Sequence, residues 1–196
     1  MDPVHPRPDR HAPDAGARWP DALVADLRTD HAGETGAVWI YRGVLAVTRD
    51  AALRAFAERH GATESDHLER IASVLPAQAR SRLLPLWRLA GFATGALPAL
   101  AGPAAVHATI VAVETFVDRH YAAQLERIDR LDPGGADASL QRLRAMLDAC
   151  REDEVSHRDE AAALGANARP AGRMIRAWTW LVGAGSEAAV GVCRRV

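Results

Sequence analysis

The sequence predicts an all-α protein. Four long helices form a bundle, an apolar crossover helix joins its two halves, and an amphipathic helix closes the C-terminal end. Three observations predict this. Apolar residues recur at helical spacing almost without interruption from Asp21 onward, and Val, Ile and Thr are too sparse to build strands. The breaks fall at Pro76, at AGP over 101–103, at DPGG over 132–135 and between Gly165 and Pro170. A chain of 196 residues, 48% hydrophobic, is long enough for one well-buried core and short for two.

Residues 1–20, MDPVHPRPDRHAPDAGARWP, lack the apolar stretch of a secretory signal, and their prolines and aspartates fit a mitochondrial presequence poorly. They read as a disordered tail ahead of a single domain over 21–196. The first helix, about 21–47, places Leu23, Leu27, Val38, Tyr41 and Leu45 on one face, with Glu34 in its middle between Gly33 and Gly36. The second, about 50–74, has the stripe Leu53, Phe56, His60, Glu64, His67, Ile71. The third, about 80–97, lies in LLPLWRLAGFATGALPALAG, the most apolar stretch of the chain. Between Pro85 and Pro98 a helix rises only about 20 Å against the roughly 30 Å of a bilayer core, so it does not read as a span.

The fourth helix, about 104–131, carries His107, Ile110, Glu114, Val117, Tyr121, Leu125 and Ile128. The fifth, about 137–165, carries Leu140, Leu143, Leu147, Cys150, Glu154, His157, Ala161 and Leu164. The sixth, about 170–193, follows Arg169 and sets Arg173 and Arg176 beside Ile175, Trp178, Trp180 and Leu181. That mix suits a helix at a membrane surface and equally an ordinary packing helix with surface arginines.

A net charge of −1 gives no global reason to expect nucleic acid. Cys150 and Cys193 supply neither a disulfide framework nor a thiolate-rich metal site, and fit a reducing compartment, the cytosol or its membrane face. The informative anomaly is that every apolar stripe of the four long helices has acid in its middle. One such Glu is usually a carboxylate reaching out to water, and one such His an ordinary core histidine. Four coincident intrusions, two of them Glu-x-x-His (ESDH at 64–67, EVSH at 154–157), call for another cause.

Ionised carboxylates cannot share a dry core without protonation or countercharge. Two divalent metals neutralise four carboxylates. A Glu from each of two helices and a Glu-x-x-His from each of the other two is the ferritin-like carboxylate arrangement. Glu34 and Glu114 supply the single acids, and Glu64/His67 and Glu154/His157 the pairs. Oxygen and imidazole donors without thiolate suit iron or manganese better than zinc. Asp153 or Asp66, each adjacent to a pair, is placed to support an imidazole N–H.

DHAGETGA (30–37), ESDHL (64–68), LPLWRLAGFATGA (84–96), VAVETFVDRHY (111–121) and EDEVSHRDEA (152–161) resemble the demethoxyubiquinone hydroxylase family, the di-iron monooxygenases of ubiquinone biosynthesis. The resemblance runs from about Leu27 to Ala163 and more loosely to the C-terminus. It implies Glu34, Glu64, His67, Glu114, Glu154 and His157 as catalytic residues holding two iron ions, with Glu64 and Glu154 or a similar pair bridging. It places His120 and Tyr121 near the quinone as substrate or redox neighbours. Thr115, after the ligand Glu114, and the long loop PGGADAS depart from the family pattern without touching a ligand position.

The implied reaction is O2-dependent ring hydroxylation of a polyprenyl methoxy benzoquinol, with electrons from NADH or from the quinol itself. No Gly-rich dinucleotide fingerprint follows a strand. A polyprenyl substrate implies peripheral attachment to the cytoplasmic face of the bacterial inner membrane, through 82–102 and 170–193, and leaves room for an accessory protein of the pathway. Gly33 and Gly36 are expected to leave space beside the metals for oxygen or the ring. Asp30 and His31 are expected to support the site without being ligands. A ferritin-like iron-storage protein and a non-catalytic quinone-binding membrane protein are the alternatives. A rubrerythrin-like peroxidase would need a Cys-rich second iron domain that two separated cysteines cannot build.

Overall fold

The computed structural model describes residues 19–166 and 172–196. The expected tail over 1–18, Arg169 and the expected start of the last helix at 170 and 171 lie outside the described residues. Six α-helices follow in order among the described residues, without strands: α1 (Asp21–Val47), α2 (Ala51–Val74), α3 (Leu84–Ala101), α4 (Pro103–Leu131), α5 (Ala138–Ala166) and α6 (Arg173–Cys193). This is an all-α arrangement consistent with a ferritin-like bundle.

Local chemistry sets the boundaries. Asp50 starts α2 by accepting from the Leu53 N–H at 2.8 Å, and Asp137 precedes α5, accepting from the Ser139 and Leu140 N–H groups at 2.8 and 3.1 Å. These caps close two helical hairpins, α1–α2 and α4–α5. The core is split along the length of the bundle, and each part draws on both hairpins. Leu23, Leu27, Ile71, Leu125, Leu143 and Leu147 build one apolar cluster, and Val44, Leu53, Phe56, Val106 and Ile110 build the other. The acidic residues of the stripes lie between them.

Three sequence expectations change. Leu164, placed on the α5 stripe, is 46% exposed, because the stripe runs out of partner helix there. Trp19, assigned to the tail, is buried and its Nε1–H donates to Val74 O at 3.1 Å. The third helix starts four residues later than expected and continues through Pro98 to Ala101. Pro98 falls in the last turn, where few ladder bonds are left to lose, and Gly102 ends the helix at φ 103 with its N–H on Pro98 O and Ala99 O.

α3 lies against α1 backbone to backbone. A Cβ on Gly91 would stand 2.2 Å from Gly36 O, one on Gly95 1.9 Å from Ile40 O, and one on Gly43 2.2 Å from Phe92 O. Only glycine permits that approach. α6 packs on α4, where Trp178 Nε1–H donates to Thr109 Oγ1 at 3.0 Å. Both helices leave apolar side chains outside: Leu89 and Leu100 on α3, Met174 and Trp180 on α6, each at least two-thirds exposed. No helix among the described residues is long and apolar enough to cross a membrane.

Candidate metal centre

The two hairpins meet through polar side chains. Glu34 of α1, Glu64 and His67 of α2, Glu114 of α4, and Glu154 and His157 of α5 are all buried at the centre. Their donor atoms form two overlapping groups, Glu34–Glu64–His67–Glu154 and Glu64–Glu114–Glu154–His157, each with its atoms within 4.8 Å of one another. Glu64 and Glu154 belong to both groups. The helices cross-pair. His67 Nδ1 faces Glu154 Oε1 at 3.0 Å and Glu64 Oε2 at 3.7 Å, while His157 Nδ1 faces Glu64 Oε1 at 3.1 Å and Glu154 Oε2 at 3.5 Å.

The electrostatics show the strain of this crowding. Burial, followed by the charges of Glu154 and Glu64, pushes Glu34 and Glu114 well above the ordinary carboxylate range. For the imidazoles burial acts to lower the pKa, but hydrogen bonds to carboxylates outweigh it. His67 is pushed up by Asp153, Glu154 and Glu64, and His157 to about 9 by Glu154 and Glu64. Glu154 is the counterpart: burial would raise it, and the hydrogen bonds from His157 and His67 bring it down to about 2.

Both oxygens of Glu64, Glu154 Oε2 and His157 Nδ1 lack an aligned hydrogen-bond partner despite their proximity. Each such buried group costs about 1–3 kcal/mol. Donors that converge yet leave these atoms unbonded fit a positive ion between them. The donor set, four carboxylates and two imidazoles, has the composition expected for a pair of hard or borderline divalent ions.

Outer partners hold this set in place. His67 Nε2–H donates to Asp153 Oδ2 at 3.1 Å, which lowers the Asp153 pKa. Asp66, the other candidate, instead pairs with Arg70 on its own helix and is half exposed. Tyr121 O–H donates to Glu34 Oε1 at 2.5 Å, and burial with the Glu34 charge keeps the phenol protonated. His120 Nε2 and Gln124 Nε2 both donate to Asp30 Oδ1, at 3.0 and 2.6 Å. Asp26, buried one turn before Asp30, forms ion pairs with Arg127, whose Nε lies at 2.9 Å, and with the Arg194 guanidinium at 2.8 Å.

Asp26 and Gln124 were missed from the sequence. The signal was there: acids at 26, 30 and 34 recur every fourth residue of α1. His31 is buried beside this row but turned away from the centre. Burial and the charges of Arg80 and Arg88 bring its pKa down to about 4.

A cavity of about 370 Å³ opens from the centre between α1, α3, α4 and α6. Glu34, Glu64, Glu114 and Glu154 form its floor, and Gly33, Trp87, Val117 and Leu181 are among its walls. The volume lies within the range of small-molecule sites, about 300–1000 Å³. A Cβ on Gly33 would meet nothing within 4 Å, whereas one on Gly36 would come 3.9 Å from Trp87 O. Gly33 and Gly36 both line the cavity and leave their places on its wall free of side chains. Asp30, His120 and Tyr121 also reach this cavity.

The family model for "Ubiquinone biosynthesis protein COQ7" matches residues 21–193. The chain is 39% identical over 181 residues to a 3-demethoxyubiquinol 3-hydroxylase of Rhodospirillum rubrum, covering 90% of this chain and 80% of that one. It is 39% identical over 147 residues to the enzyme of the same name from Paracidovorax citrulli, 74% and 68% of the two chains. To the human NADPH-dependent 3-demethoxyubiquinone 3-hydroxylase, mitochondrial, it is 31% identical over 173 residues, 87% and 76% of the two chains.

Proposed function

The chain belongs to the COQ7 family of ubiquinone biosynthesis proteins, and from that premise we propose that it hydroxylates the ring of a demethoxyubiquinol-type substrate with O2 at a di-iron centre. The observation that carries this reading is an apolar cavity whose floor is made of four converging carboxylates. When bound, an iron pair supplies the redox chemistry toward O2 that amino-acid side chains lack. Glu34 and His67 would hold one ion and Glu114 and His157 the other, with Glu64 and Glu154, common to both donor groups, between them.

The protein's own part is placement. The ring lies on the carboxylate floor, shielded from water by Trp87, Val117 and Leu181. Tyr121 fixes Glu34 and Asp153 fixes His67, so that these donors keep one orientation through turnover. On the wall, His120, held by Asp30, is in position to hydrogen-bond a ring oxygen and to take or return its proton. Burial lowers the His120 pKa, but the hydrogen bond to Asp30 and its charge outweigh burial and raise it, favouring the protonated donor. One oxygen atom enters a ring C–H and the other leaves as water. This requires two electrons and two protons from a reductant, which the names of the mitochondrial relatives give as NADPH for those enzymes.

The cavity lies between α3 and α6, where half-exposed Leu181 lines it and Leu89, Leu100 and Trp180 stand exposed on the same two helices, so a prenyl tail can stay in lipid while the ring reaches the floor. The chain thus works as a peripheral protein, on the cytoplasmic face of the bacterial inner membrane. Anaerobic iron loading with metal analysis and Mössbauer spectroscopy tests the centre. Glu114→Ala should cause the unhydroxylated quinone to accumulate in cells that depend on this chain. Wild-type uptake well below about two irons per chain refutes the di-iron reading. Failure of the detergent-free protein to float with liposomes, together with intact activity after deletion of residues 172–196, refutes the membrane reading.

A further inference from the structure

The two halves of the centre are related by the repeat Glu, then Glu-x-x-His, yet their surroundings differ. On one half, Glu34 accepts from Tyr121 O–H at 2.5 Å and His67 donates to Asp153 at 3.1 Å. Both terminal donors are held from outside. On the other half neither is. Glu114 hydrogen-bonds only Glu154 inside the cluster, and the buried hydroxyl of nearby Tyr41 has no partner. The His157 ring packs edge-on against the His60 ring, with centroids 4.1 Å apart, and no carboxylate outside the cluster accepts from it among the described residues. The sequence gives the reason. Asp153 directly precedes Glu154, and the matching position before Glu64 is Thr63, whose hydroxyl turns back to Arg59 O at 3.4 Å.

Outer hydrogen bonds fix a ligand's orientation and raise its basicity, and losing one typically lowers metal affinity about 10–100-fold. We infer that the two halves bind metal unequally: the Glu34–His67 half fills first and holds its ion more tightly than the Glu114–His157 half. This rests on the two-metal reading above.

The test is an anaerobic Mn2+ titration of the metal-stripped full chain, followed by calorimetry and EPR, because Mn2+ takes the same donor types as Fe2+. Two steps are expected, separated by at least about tenfold in affinity. At one equivalent the spectrum should be the six-line signal of an isolated ion, giving way to a coupled spectrum at two. Asp153→Asn should weaken the first step by about 10–100-fold and leave the second, while Thr63→Asp should strengthen the second. His157→Ala should abolish the weak step and keep the tight one.

Two ions taken up with equal affinity overturn the inference and leave the two-metal reading standing. Loss of the tight step in His157→Ala also overturns it, and that variant decides the matter if Asp153→Asn does not fold. Total uptake near one ion per chain overturns the two-metal reading and the inference with it.

Discussion

Loading the chelator-stripped protein with a divalent metal at pH 7 should expel about four protons per chain. Four of the six clustered groups are held toward their protonated forms in the metal-free protein. Burial and neighbouring carboxylates hold Glu34 and Glu114 well above the ordinary range, and hydrogen bonds that outweigh burial raise His67 and His157, the latter to about 9. Each must give up its proton to offer a lone pair to an ion. The departing protons cancel the charge of two divalent ions, so the buried centre keeps its charge and avoids the several kcal/mol that each uncompensated ion costs. Linkage fixes the sign: proton release makes binding tighter as pH rises. The two-ion constant should climb with pH by about tenfold per pH unit for each proton released. Calorimetry in two buffers of different protonation enthalpy counts the protons. Release of about one or none would refute the charge-balance reasoning.

Three further outcomes follow from the same geometry. The metal-stripped protein should melt at lower temperature as pH rises from 6.5 to 9. The folded value of His157 is raised to about 9, so its stabilisation is complete below the unfolded value and is lost as pH passes 9, an effect of about 3 kcal/mol. His31 and His60, both brought down to about 4, stay neutral in the folded chain across that window and add only a small opposite gain as their unfolded forms lose the last of their protons above about pH 6.5. A flat or rising melting curve would contradict this. Gly95→Ala sets a methyl 1.9 Å from the Ile40 carbonyl and should cost about 1–3 kcal/mol or more by urea denaturation. Gly33→Ala, with nothing within 4 Å, should stay within about 0.5 kcal/mol. Gly33→Leu should narrow the cavity and raise KM for the quinol while metal stoichiometry stays unchanged; a wild-type KM would mean the substrate takes another path.

The centre was legible because helical spacing is strict: a glutamate on an apolar stripe is visible without coordinates, and four of them at matching depth identify one another. Residues whose role depends on a third dimension were not. Asp153 and Asp66 are equally adjacent to the histidine pairs, and only the orientation of α5 against α2 directs Asp153 to His67. Nothing in the apolar stretch singled out Gly91 and Gly95, which are the condition for α3 to lie on α1. Pro98 looked like a stop because proline costs a helix most in its interior, and the last turn is exempt. The unequal support of the two halves was written in the sequence as Asp153 against Thr63, but it became readable only once the halves could be superposed.

The division of the core has a bearing on how the chain folds. Each hairpin closes through short loops and local contacts, which form early. The surface on which the hairpins meet is apolar toward its two ends, where each core cluster draws on α1, α2, α4 and α5, and ionisable at its middle. Such a surface gives little hydrophobic reward for docking at its middle. Ions bound there would act as a latch, neutralising the middle of an interface whose apolar ends already join the two hairpins. Metal loading would then shorten the time for which the chain stays open to proteolysis.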